Sequence, residues 1–241
     1  PPGGDFAGTV VRVGPGSHIW KVGDEVFGIA PGCLRTYVLT SMSLIARKPR
    51  NTSFEEAGSL PICYSTVLVA LRDIAEVKAG AKVLVHAAAG GVGYAAVQYC
   101  LMVGAIPYCT AGSHEKREYL ESLGVKHIAS SRDAPLFMKE MKEMLGTEGK
   151  MDAVLNSLSG DYISGSLELL KEGGYFLEIG KLNIWTDAEM AEARPDVRYH
   201  RVAVDEMMAK DPRWFGMKMA EICVEIESGS LTALPVTSYP F

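Results

Sequence analysis

Between residues 82 and 179 the chain alternates short apolar runs with helix-like stretches, a rhythm that few folds accept. The apolar runs fall at 82–86 (KVLVH), 106–110, 128–129, 153–156 and 175–179. Helical stretches separate them: an apolar one ending at Val103, a polar-faced one over 114–123, then 135–145 and 162–170. Strands this short, each followed by a helix, pack side by side through helical crossovers. That predicts an α/β fold, a doubly wound parallel sheet of the Rossmann type. No repeat or low-complexity segment interrupts it.

The flanks read differently. Residues 6–13, 25–29, 35–39 and 44–46 are short strand-like runs separated by Gly14-Pro15-Gly16, Val22-Gly23-Asp24 and Pro31-Gly32. This punctuation predicts a small antiparallel barrel or sandwich. Ser53 with Glu56 three residues on is a capping box that opens a helix. Pro61 interrupts it, and 63–71 is a second helical piece. Beyond the sheet, 199–204 reads as a strand, 214–226 as a helix stopped at Gly229, and 231–241 as an extended tail expected to pack back on the first stretch. The expected domains are 1–72, a β-rich lobe; 73–205, a dinucleotide-binding domain; and 206–241, a return to the first lobe.

Composition removes several classes of function. With 24 Lys and Arg against 29 Asp and Glu, the net charge is −5, which disfavours a nucleic-acid binder with a broad basic face. At 241 residues and 48% hydrophobic content the chain has enough apolar material for a sizeable core and is neither disordered nor collagen-like. Its five cysteines are scattered without a C-x-x-C pair, so neither a disulfide framework nor a thiolate zinc site is expected, and a reducing, cytoplasmic setting fits. No apolar window reaches the about 18 residues of a membrane span, and no membrane partner is expected. There is no signal peptide and no initiator Met, and the chain reads as a piece of something longer.

The chemistry begins at Ala88-Ala89-Gly90-Gly91-Val92-Gly93, which follows a strand and opens a helix. In that context glycines let a backbone approach a pyrophosphate, and the helix start offers N–H groups and a positive dipole. Ala88 stands where the first glycine of G-x-G-x-x-G is usual; the competing reading is a tight turn with no ligand. An NAD site places Asp or Glu at the end of the second strand for the ribose 2′-hydroxyl. Here that strand runs into Thr110-Ala111-Gly112-Ser113, then Lys116 and Arg117. A hydroxyl and cations suit a 2′-phosphate, so the expected cofactor is NADPH, with Arg132 reaching in from the next loop. Against this, Lys116 and Arg117 also read as a solvated first turn, and Arg132 as structural.

Taken together, Gly23-Asp24-Glu25-Val26, the run 87–93 and Leu234-Pro235-Val236 resemble the medium-chain dehydrogenase/reductase family. Ser130-Ser131-Arg132-Asp133, Leu155-Asn156-Ser157-Leu158 and Leu177-Glu178-Ile179-Gly180-Lys181 narrow the resemblance to the enoyl reductase domains of polyketide synthases and animal-type fatty acid synthases. It implies a partial GroES-like substrate lobe at the N-terminus, with some dozens of residues of that lobe upstream of Pro1. It also implies NADPH-dependent reduction of a 2-enoyl thioester on an acyl carrier protein, beside neighbouring domains of a multienzyme. Zinc-dependent relatives carry His-Glu near the position of Gly4-Asp5-Phe6 and a four-cysteine lobe. This chain carries neither, so no metal is expected.

By the same resemblance Lys181 and Asp205 match the proton-donor candidates. Lys181 also lies just past a parallel strand's C-terminal end, where α/β sheets bind ligands. The competing readings are a surface lysine and a helix-capping aspartate. Thr66, Ala89, Gly90, Gly91, Val92, Gly93, Ser113, Lys116, Arg117, Arg132, Asn156, Ser157 and Gly180 are the candidate cofactor contacts; for Thr66 helix packing competes, and for Asn156 a turn. The five histidines stand singly and receive no catalytic role. Two other functions stay open: a free-standing quinone or enone reductase, and a non-catalytic NADPH-binding module.

Overall fold

The strand-forming stretches sort into two separate sheets. The computed structural model describes residues 2–147 and 149–239. In chain order the elements are β1 (Asp5–Thr9), β2 (Glu25–Ile29), β3 (Ile45–Arg47), α1 (Phe54–Ala57), α2 (Pro61–Val67), β4 (Lys82–Val85), α3 (Gly91–Val103), β5 (Ile106–Ala111), α4 (His114–Ser122), β6 (His127–Ser130) and α5 (Ala134–Leu145). They continue with β7 (Met151–Asn156), α6 (Asp161–Leu169), β8 (Leu170–Glu178), α7 (Asp187–Ala193), β9 (Arg198–Arg201), α8 (Val204–Lys210) and α9 (Pro212–Glu227). The chain divides into one unit made of residues up to Ser65 and from Ala203 onward, and a second made of Thr66–Val202.

In the first unit β1, β2 and β3 form an antiparallel sheet in that order. Val26, Phe27 and Ile29 of β2 are buried. Helix α9 packs on β2 and β3, and its Phe215, Met219, Ile222 and Ile226 are buried at helical spacing. Ser53 caps α1 with the reciprocal Glu56 bond of a capping box. The tail contributes buried Leu231 and Leu234, and the Tyr64 hydroxyl donates to the Thr232 carbonyl at 2.5 Å.

The second unit is a six-stranded sheet in the order β6-β5-β4-β7-β8-β9, parallel throughout. Val83, Leu84 and Val85 are each fully buried, the unbroken apolar run of a strand covered on both faces. Phe137 and Met141 of α5 and Ile163 and Leu167 of α6 cluster with Leu84, Val154 and Phe176. Burying each such side chain contributes about 1.5–3 kcal/mol. Strand order reverses between β4 and β7, the kind of switch point beside whose carboxyl ends open α/β sheets bind ligands.

The structure departs from expectation mainly where pairing is non-local. The run at 6–13 is a strand only to Thr9. Residues 35–39 form no strand, with Tyr37 72% and Leu39 93% exposed; strand-like composition gives no strand without a ladder partner. The run at 44–46 is displaced to Ile45–Arg47. The strand at 199–204 ends at Arg201, and Val204 already starts α8. The second helical piece near residue 63 passes from α2 into a π-helical stretch, Leu68–Ile74. Helix α7, opened by a Thr186/Glu189 capping box, has no counterpart in the sequence reading. Phe241 and Pro240 of the expected tail lie outside the described residues.

Candidate functional site

The glycine turn lies at this switch point, directly after β4. After β4, Ala87 adopts φ +49, a left-handed conformation that costs a non-glycine residue about 1–2 kcal/mol. Two bonds to Thr110 hold the turn: Ala87 N–H donates to Thr110 Oγ1 at 3.0 Å and Ala88 N–H to the Thr110 carbonyl at 3.0 Å. Gly90 is the N-cap of α3, and no side chain caps the helix. A Cβ on Gly93 would stand 2.5 Å from the Ala87 carbonyl oxygen and 2.6 Å from Ala88 Cα, so only glycine lets α3 start this close to β4. Gly90 and Gly91 are exposed, Ala89 and Val92 half-buried. An uncapped, exposed, side-chain-free helix start fits a diphosphate.

His86 anchors the turn from below. It is buried against Phe137 and Tyr162, with Nε2 2.8 Å from Ser166 Oγ and Nδ1 3.3 Å from Thr110 Oγ1. Burial holds its pKa down at about 3, so the ring is neutral near pH 7.

The neighbouring loop follows β5. Ser113 caps α4, its Oγ accepting from Lys116 N–H at 3.4 Å. Glu115 lies in the same turn, and a hydrogen bond from Ser113 lowers its pKa. Lys116 is exposed. Arg117 faces inward, with Nη1 donating to the Ile128 carbonyl at 3.0 Å and Nη2 3.3 Å from Glu140. Arg132 lies over Gly112, Nε 3.4 Å from its carbonyl oxygen. Ser113, Lys116 and Arg132 thus gather at one strand end without a carboxylate on the strand itself, while Arg117 is spent on its own fold.

At the ends of β7 and β8, Asn156 is fully buried. Its Nδ2 donates to Glu178 Oε2 at 2.6 Å and to the Leu158 carbonyl at 2.8 Å, and its Oδ1 accepts from Leu158 N–H at 3.3 Å. Glu178, 2% exposed, accepts from Gly180 N–H at 2.6 Å through Oε1. Burial raises its pKa, against the pull of these hydrogen bonds. Ser157 and Lys181 are exposed and Gly180 is half-buried. The sequence reading assigned Glu178 no role of its own; its signal was a lone carboxylate inside the apolar run Tyr175-Phe176-Leu177-Glu178-Ile179. Thr66 is buried near the end of α2. Asp205 belongs to the other unit, where it is exposed in the first turn of α8, two residues past the N-cap position at Ala203. In that first unit Phe6, Val11, Trp20, Arg35, Tyr37 and Met42 line part of a cavity of about 490 Å³.

Residues 91–216 match the family described as zinc-binding dehydrogenase. A solved structure titled CurK enoyl reductase is 40% identical and superposes with a TM-score of 0.90, over 96% of this chain and 69% of that one. The chain belongs to the enoyl reductase family. The chain is also 40% identical over 239 residues to the spectinabilin polyketide synthase system protein NorB of Streptomyces orinoci, covering 98% of the chain and only 11% of that protein. The mycobacterial Rv1454c, solved in complex with NADPH, is 26% identical with a TM-score of 0.83, over 95% of this chain and 72% of that one. Among the described residues no group of three or more His, Cys, Asp or Glu side chains can hold a metal ion. Nor, among those residues, is any helix long and apolar enough to cross a membrane.

Proposed function

We propose that this enoyl reductase carries out NADPH-dependent reduction of the α,β double bond of a 2-enoyl thioester borne on an acyl carrier protein. It would act beside neighbouring domains of a polyketide-type multienzyme in the cytoplasm. Bound NADPH supplies the hydride that enters at the β-carbon. The turn from Ala89 to Gly93 offers backbone N–H groups to the diphosphate. Ser113, Lys116 and Arg132 take the 2′-phosphate, with Arg132 preferred over the inward-facing Arg117. Thr66, Asn156, Ser157 and Gly180 line the remainder of the cofactor's path.

As the β-carbon is reduced, the electron pair of the double bond moves onto the thioester carbonyl as an enolate. The ammonium of Lys181 stabilises that oxygen and gives a proton to the α-carbon. Asp205 is the second candidate donor; a carboxyl group donates only from its protonated form. The polarised thioester carries the electrons itself, so no metal enters the scheme.

The observation that supports this most is the uncapped glycine turn at the sheet's switch point in a chain of enoyl reductase ancestry. The test is NADPH oxidation by the purified protein with a short trans-2-enoyl pantetheine thioester, against NADH and a quinone. Preference for NADPH and the thioester is the expected result. Faster turnover with quinones would replace the proposal with a quinone reductase. NADPH binding with no turnover of any acceptor would replace it with a binding module.

A further inference from the structure

Asn156 and Glu178 are directly opposed in the last rung of the β7–β8 ladder. Each is the final residue of its strand, and each side chain reaches into the loop that follows. Asn156 binds both the N–H and the carbonyl of Leu158. Glu178 binds the N–H of Gly180, and the 2.6 Å bond between the two side chains joins the loops. The result is one hydrogen-bonded path: Gly180 N–H to Glu178, Glu178 to Asn156, Asn156 to Leu158. Lys181 is the next residue along the chain from the end of that path.

Two features show that this arrangement is built for a carboxylate. Both groups that meet Glu178 are donors, so both oxygens must accept, which an ionised carboxylate does and an amide does not. A Cβ on Gly180 would stand 2.7 Å from Glu178 Oε1 and 3.1 Å from Ile184 Cγ2, so the carboxylate sits tight against the backbone one residue before Lys181. A carboxylate 2% exposed at the end of an apolar strand bears a desolvation cost. An aliphatic residue would avoid that cost if the position served only the core.

We propose that Glu178 is the positioning residue for Lys181. Its carboxylate sets the course of residues 179–181 and ties that loop to the one after β7, holding the lysine in one place at the carboxyl edge of the sheet. This rests on the assignment of Lys181 as the group acting on the substrate.

The test reverses the polarity of the path. In Glu178→Gln the amide has one acceptor oxygen, so Gly180 N–H or Asn156 Nδ2 meets an NH₂ group. In Asn156→Asp two carboxylates face each other. The double variant combines Asn156→Asp with Glu178→Gln. There the new amide donates to the new carboxylate opposite it and accepts from Gly180 N–H, and only the bond to the Leu158 carbonyl is lost. A displaced catalytic group costs rate more than binding, so Glu178→Gln is expected to lower kcat about tenfold to a hundredfold, with the KM for NADPH changed less than about threefold. The double variant, which also alters a residue on the proposed cofactor path, is judged on Gly180 protection and not on turnover. Amide hydrogen exchange at Gly180 provides a readout independent of turnover, with protection lost in Glu178→Gln and regained in the double variant. Should Glu178→Gln not fold, Gly180→Ala, which pushes the carboxylate off its seat, is expected to lower kcat in the same way.

A Glu178→Gln enzyme with wild-type kcat and Gly180 protection overturns the proposal, as does a double variant in which Gly180 is no better protected than in the singles. If the wild-type protein itself reduces no enoyl thioester, the functional reading fails instead. The tie between the loops is then judged on Gly180 exchange alone.

Discussion

Arg132 Nε lies 3.4 Å from the carbonyl oxygen of Gly112, and a Cβ on that glycine would approach Nε to 2.6 Å. The guanidinium is therefore held against the loop that ends β5, beside Ser113, by residues 20 positions apart in sequence. Replacing Arg132 with Ala should raise the KM for NADPH by about tenfold or more while leaving that for NADH nearly unchanged, as expected on losing a charge-assisted bond to phosphate. Gly112→Ala should do the same by displacing the guanidinium. Arg117→Ala should instead lower the melting temperature, since its bonds go to Ile128 and Glu140. Steady-state kinetics with both nucleotides and thermal melts separate the three.

Gly93→Ala drives a methyl group into the Ala87 carbonyl and Ala88 Cα. Both atoms are backbone and cannot turn aside, so about 1–3 kcal/mol of stability should be lost. The shift of α3 should weaken NADPH binding as well. Urea unfolding and NADPH fluorescence titration measure the two effects. Unchanged binding would show that the turn does not seat the cofactor.

Acid stability should carry two opposing terms, one in each unit. His86 has a folded pKa of about 3 against an ordinary 6.5. The unfolded chain binds the extra proton first, so this contribution is complete above pH 6.5 and is lost as pH falls toward 3. Asp5, with its carboxyl raised to about 6 by burial, acts the other way: its neutral form is favoured in the fold, and that contribution is lost as pH rises from 3.8 through 6. Asp5→Asn keeps an acceptor for Ile62 N–H and should stabilise the protein at pH 7 by about 1–2 kcal/mol, with no gain below pH 4. His86→Gln should flatten the loss between pH 6.5 and 4. Urea midpoints across that range decide both.

Lys181→Ala should lower kcat for the enoyl thioester by about 10²–10³-fold without weakening NADPH binding, the pattern of a group used in the transition state. Asp205→Asn is the paired measurement. A larger kcat loss there than in Lys181→Ala would make Asp205 the principal proton donor. Solvent isotope incorporation at the α-carbon reports the protonation step directly.

Much of this protein was legible without coordinates because the relevant physics is local. Alternating strands and helices from Lys82 to Glu178, the capping box at Ser53 and Glu56, and the glycine turn before α3 each depend on residues a few positions apart. Backbone conformation and helix caps act at that range. What needed the tertiary structure depends on which distant residue lies opposite. Residues 35–39 have strand composition, yet no ladder partner is present among the described residues. Arg117 and Arg132 are equally basic in sequence, but only packing turns one toward Glu140 and lays the other on Gly112. Glu178 reads as a stray charge in an apolar run until the β7–β8 register brings Asn156 opposite it, 22 residues away. Sequence determined the elements and the chemistry available to them. The tertiary structure decided which polar groups meet, because a buried hydrogen bond is set by register across a sheet, and register is a property of two segments together.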